Sequence, residues 1–149
     1  MTLEIMIRIF HLIGLCWGVG GATLGLLLMV ISERNPELKP HVSKILPINT
    51  RLILFGMLLL GISGVVLQLV IGGNYYADHW ILGLKHVVAA ILLILGVLMI
   101  VKISPKMQRL APKGGPPSEE FLKTKKLAMI TGITNTILWY VIVILSVIM

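Results

Sequence analysis

The sequence predicts an all-α integral membrane protein, a four-helix bundle threaded up-down-up-down with both termini outside. Three observations carry that expectation. Apolar side chains make up 57% of the 149 residues and charged ones 13%, against roughly 45–50% (glycine included) and roughly 25% in soluble domains. Mean hydropathy is +0.99, and a water-soluble domain of this size exposes too much surface to hide that many apolar groups. Eleven of the 13 Lys and Arg residues fall in two inter-helix segments: Arg34, Lys39, Lys44 and Arg51 in the first, and Lys102, Lys106, Arg109, Lys113, Lys123, Lys125 and Lys126 in the second. The positive-inside rule then puts both segments in the cytoplasm, with the chain in a prokaryotic inner membrane.

The first span runs from about Ile5 to Ile31. It is longer than the apolar part of a secretion signal and no small-residue cleavage site follows it, so it is expected to be retained. The second runs from Arg51 to Ile71, the third from Trp80 to Val101 and the fourth from Leu127 to Met149. Each reaches the roughly 20 residues that cross about 30 Å of hydrocarbon at 1.5 Å per residue. All seven prolines (Pro36, Pro40, Pro47, Pro105, Pro112, Pro116, Pro117) fall in the two basic segments, where they break no transmembrane hydrogen bond. Gly72 to His79 is short and turn-rich, which predicts a tight hairpin between spans two and three, with Tyr75, Tyr76 and Trp80 at the interface. Ser118 ahead of Glu119 and Glu120 reads as an N-cap with acidic residues in the first turn, so the last helix is expected to start before the membrane. The whole chain, 1–149, reads as one transmembrane domain.

Ionisable side chains inside spans are costly and therefore mark functional sites. Span one carries Arg8 and His11, and span three Lys85 and His86, with His79 at its entrance. Spans one and three run the same way, and His11 and His86 lie seven and eight residues in from Glu4 and Asp78, about 10–12 Å along each helix. Two level histidines in a helical bundle can supply both axial nitrogens of a haem iron. Arg8 and Lys85, the two basic residues off the loops, can pair with its propionates. Gly14, Gly18, Gly21 and Gly25 follow His11 at spacings of three and four, and Gly83 and Ala90 flank His86 similarly, leaving faces with little side-chain volume. Such faces admit a flat macrocycle or let helices pack closely, and on the glycines alone packing is the commoner outcome. Taken singly, each histidine also reads as a neutral side chain bonded to a neighbouring helix, and Arg8 as snorkelling to the headgroups.

Other chemistry finds little footing. Cys16 stands alone and forms no internal disulfide. The eight methionines show no Met-x-x-Met repeat, so apolar filling explains them better than a copper pathway. No Ser/His/Asp set, carboxylate pair or phosphate-binding glycine loop is present, and no aromatic residues interleave with the basic ones, which argues against a nucleic-acid partner. His41 and His79 read as surface residues. Asn135 and Gln68 read as interhelical hydrogen-bonding groups, with a quinone contact as the alternative.

The segment Phe10-His11-Leu12-Ile13-Gly14-Leu15, followed by Trp17 and a glycine run, resembles the opening helix of the bacterial J-type protoporphyrinogen oxidases, a family grouped with the copper-resistance D-like membrane proteins. The likeness extends to Arg51-Leu52 and to Trp80 through Lys85, and so touches the first three helices. It implies a haem-binding four-helix protein and ties His11 and Lys85 to haem and activity. Where that family carries Thr-Thr-Pro-Gly early in its second helix, this chain reads Ile53-Leu54-Phe55-Gly56, and His86 is not part of the family motif. The expectation is a cytochrome b-like protein whose haem b is ligated by His11 and His86 and contacted by Arg8, Lys85, Gly14 and Gly18. It would pass electrons from a quinol or a periplasmic redox protein. Porphyrinogen oxidation, copper transport of the copper-resistance D type and a cofactor-free membrane subunit are the alternatives, and a homo-oligomer or a place in a larger complex is compatible with each.

Overall fold

The structure, a computed structural model, describes residues 2–71, 80–112 and 115–148. The expected hairpin turn, with Tyr75, Tyr76, Asp78 and His79, lies outside the described residues, as do Lys113 and Met149. Every regular element among the described residues is helical. Four helical spans, Leu3–Arg34, Pro36–Val70, Trp80–Arg109 and Glu119–Ile148, are long and apolar enough to cross a membrane.

Helix α1 (Leu3–Arg34) ends where the Asn35 backbone N–H and side-chain Nδ2 both donate to the Ile31 carbonyl. A single 3₁₀ turn (Pro36–Leu38) leads into α2 (Lys39–Ile71). Much of the first basic segment, expected as a loop up to Arg51, is therefore helix. Pro40 sits in the first turn, where its missing N–H would have had no intrahelical partner. Pro47 removes one bond from a segment that packs through Val42 and Asn49, both buried.

Helix α3 (Trp80–Leu98) widens into a π turn (Met99–Ile103) and continues as the short α4 (Ser104–Arg109). The cause is Pro105. It has no N–H to give the Val101 carbonyl and its ring crowds that carbonyl, so the preceding Ser104 N–H reaches back five residues to the Met99 carbonyl instead. Helix α5 (Glu119–Ile148) starts as the sequence indicates: the Ser118 hydroxyl accepts the Phe121 N–H at 3.2 Å.

Glycine decides the packing of α1. A side chain on Gly14 would strike the Gly56 carbonyl and Leu60 amide, both 2.8 Å from its Cβ, and one on Gly56 would strike the Gly14 carbonyl at 2.9 Å. The backbones of α1 and α2 thus touch. Farther along, Gly21 receives Ile53 and Gly25 receives Asn49, so residue numbers fall on α2 as they rise on α1 and the two helices run antiparallel. On the other side of α1 the Trp139 ring of α5 lies against Gly18, and the Thr136 hydroxyl reaches the Ala22 carbonyl at 3.3 Å. Trp139, Leu92 and Ile142 are the largest wholly buried side chains. Leu69, Ile62 and Ile94 stay more than 60% exposed, an apolar exterior suited to lipid.

Candidate functional site

His11 lies on α1 beside α2. Its Nδ1 is 2.9 Å from the buried Ser63 hydroxyl, and its ring lies over Gly64. The hydrogen positions follow from the partners. Ser63 has one hydroxyl hydrogen, which it commits to the Leu59 carbonyl at 2.6 Å and, more weakly, the Leu60 carbonyl at 3.2 Å. Ser63 must then accept from His11, which puts the proton on Nδ1 and leaves the Nε2 lone pair free. Ring orientation and tautomer are both fixed from the far side, as in a metal-ligating histidine held by its second hydrogen bond.

Lys85 on α3 is half-buried and within electrostatic reach of the His11 ring. No described carboxylate lies within ion-pair distance of its ammonium. Its neighbour faces elsewhere. The buried stripe of α3 is Val88, Leu92 and Gly96; Lys85 precedes Val88 by three residues, about 60° round the helix, and His86 by two, about 160°. His86 is accordingly exposed, and its Nδ1 donates to the Leu82 carbonyl of its own helix at 2.8 Å, leaving its Nε2 free as well.

The structure therefore leaves Lys85 within electrostatic reach of His11 and turns His86 away from the packed face of α3. Equal depth along two helices says nothing about rotation around each of them. Arg8 is also placed apart from the expected role: it is exposed and paired with Glu4 at 2.7 Å, one turn earlier on α1. Gly14 and Gly18 are covered by α2 and by Trp139. His41 and Cys16 are exposed. Among the described residues no three His, Cys, Asp or Glu side chains converge as a metal site.

Ser63, which the sequence left unremarked, and a pocket farther along the bundle complete the picture. Ser63 is one hydroxyl in an apolar run, and its only signal was that it is polar inside a span. Nearer the basic loops, Met29, Met57 and Met99, distant in sequence, line a partly open pocket of about 60 Å³ with Asn49, Thr50, Asn135 and Thr136. The Oδ1 of Asn135 is buried without a hydrogen-bond partner.

Comparison of the chain with protein-family models, curated proteins and solved structures gives no match.

Proposed function

We propose that this chain is a haem b-binding membrane protein that passes electrons, with His11 as an axial ligand and Lys85 as the partner of a haem propionate. One observation carries the reading: Ser63 holds His11 with Nε2 free, and the lysine within its electrostatic reach, Lys85, is half-buried with no described counter-ion. A neutral imidazole nitrogen suits iron, and a half-buried ammonium without a described counter-ion suits a carboxylate, so this pair fits the group. A second ligand from His86 of the same chain does not follow from the placement of that side chain. The haem, when bound, supplies a reversible one-electron change at iron. The protein's part is to hold it: Ser63 orients the ring, Lys85 offsets propionate charge, and the apolar surroundings keep water from the metal. On this reading the basic segments face the cytoplasm, the chain runs up-down-up-down and the site lies in the outer half of the membrane, close to a quinol or a periplasmic redox partner.

The test is the visible spectrum of the detergent-purified protein, expressed with sufficient haem, oxidised and then reduced with dithionite. A Soret band that His11→Ala abolishes and His86→Ala leaves unchanged is expected. A wild-type protein without a Soret band overturns the reading. Low-spin six-coordinate haem that turns high-spin in His86→Ala would restore His86 as second ligand.

One observation favours a second reading. His11 and Lys85, within electrostatic reach of each other, are the two that the resemblance to the J-type oxidases ties to activity, which supports porphyrinogen oxidation at the same site. Complementation decides between them: restored growth of a bacterium lacking its own protoporphyrinogen oxidase, lost with Lys85→Met, selects the oxidase.

A further inference from the structure

The sequence alone starts the second span at Arg51, and the packing of α1 on α2 places that residue farther in. Gly21 of α1 faces Ile53 and Gly25 faces Asn49, so Arg51 lies level with Thr23. The apolar run of α1 continues to Ile31, and the charged zone opens only beyond it, where Glu33 pairs with Lys125 of α5 at 2.7 Å. Between Thr23 and Ile31 lie about 12 Å of helix at 1.5 Å per residue, and Arg51 is that far inside the boundary. By the same register Lys44 is the basic residue of α2 at the boundary, level with Val30. The Arg51 side chain is exposed, and its neighbours one and two turns away on that face, Ile48, Phe55 and Leu58, are exposed apolar groups. No described carboxylate lies within ion-pair distance of its guanidinium.

A guanidinium on the lipid face of a span is costly without a counter-charge. Cβ atoms tilt toward a helix N-terminus, which for α2 is the basic end, so Arg51 leans toward the nearest headgroups. Fully extended it covers about 7 Å, short of the boundary. The rest of the gap is closed from the lipid side, by a phosphate drawn inward. Lys44, two turns earlier, falls within about 20° of Arg51 round the helix and about 10 Å nearer the boundary, so its ammonium, also exposed, approaches the same phosphate from the other side. A free inorganic anion would have to shed its water to enter this layer. A phospholipid brings its phosphate there on acyl chains, for which Ile48, Phe55 and Leu58 supply apolar contact. We propose that Arg51 and Lys44 form a site on α2 for the phosphate of one anionic phospholipid, taken from the leaflet nearest the basic segments and held deeper than its neighbours. A choline or ethanolamine headgroup would set its own cation against Lys44, which selects a lipid of net negative charge.

Native mass spectrometry of the full-length protein in detergent, titrated with phosphatidylglycerol or phosphatidylcholine, reads the affinity of the first lipid bound. Wild type should take phosphatidylglycerol more tightly than phosphatidylcholine. Arg51→Gln and Lys44→Gln should each weaken the first phosphatidylglycerol by about fivefold, the scale of one basic residue on an anionic lipid, whereas Lys126→Gln, exposed on α5 at the same end, should change it by less than about twofold. Arg51→Lys, which keeps the charge and loses the two-pronged grip on phosphate, should fall between wild type and Arg51→Gln. An Arg51→Gln affinity equal to wild type overturns the proposal, since Arg51 then snorkels to bulk headgroups or pairs with another chain. Equal loss in Lys126→Gln overturns it too, by reducing the effect to the general charge of that end. Inorganic phosphate that displaces the lipid would show a free-anion site and count against a lipid one. Should the Arg51 variants fail to fold, equal affinity of the wild type for the two lipids still overturns it.

Discussion

Ser63 shows how a single hydroxyl can set the chemistry of a histidine two helices' width of sequence away. Its own hydrogen is held by the Leu59 carbonyl, so it can only accept from His11, and the tautomer follows. Outer partners of this kind are worth about 10–100-fold in metal affinity where they have been removed. On the haem reading, Ser63→Ala should weaken haem retention by about that factor, read as haem per protein after dilution. Ser63→Thr, which keeps the hydroxyl, should retain it. His11 was legible in the sequence as an ionisable group in an apolar run. Its relation to His86 was not, because a depth count fixes position along a helix axis and leaves rotation free, and only the packing of Val88, Leu92 and Gly96 sets that rotation.

Helices rather than single residues explain the glycines. Gly14 and Gly56 are placed where a Cβ would strike backbone, whereas Gly20 and Gly61 have nothing within 4 Å. The two kinds should respond oppositely to alanine. Gly56→Ala should destabilise by about 1–3 kcal/mol through overpacking at a contact that cannot give, and Gly20→Ala should stabilise by about 0.5–1 kcal/mol through backbone entropy alone. Thermal unfolding in one detergent, followed by circular dichroism, reads both. The four spans and the Ser118 cap were legible because apolar length and capping chemistry are local. The start of α2 at Lys39 was not, because Pro47 reads as a breaker and only the burial of Val42 and Asn49 shows the helix passing through it. The small-residue face of α1 was legible as a face, with its occupants, α2 and Trp139, supplied by tertiary packing.

Over the whole molecule, charge is the organising quantity. The net charge of +7 is concentrated at one end of the bundle. There Lys125 pairs with Glu33 at 2.7 Å, tying α5 to α1, and Lys106 pairs with Glu120 at 2.9 Å, tying α4 to α5. These pairs are at least a quarter exposed and so contribute little to stability; their unpaired neighbours are free for anionic headgroups. The proposed orientation makes a clear prediction in a Cys16→Ser background. A cysteine at Asn74 should react with an impermeant thiol reagent in intact cells, and one at Lys113 should react only after the cells are opened. The reverse pattern would move the His11 site to the cytoplasmic half.

The π turn at Met99–Ile103 bears on how the gene can tolerate length change. A π turn is equivalent to an α-helix holding one surplus residue, with the helices on either side already in mutual register. In a Pro105→Ala background, which restores the N–H and removes the ring that bars α geometry, deleting one residue from Met99–Ile103 should let the turn relax to α geometry while Trp80–Leu98 and Ser104–Arg109 keep their facings. A deletion at Ala89 would instead turn one half of α3 by about 100° against the other, carrying Lys85 away from the face it shares with Val88. In that background a scan of single-codon deletions along this span should therefore show one island of tolerance, centred on Met99–Ile103.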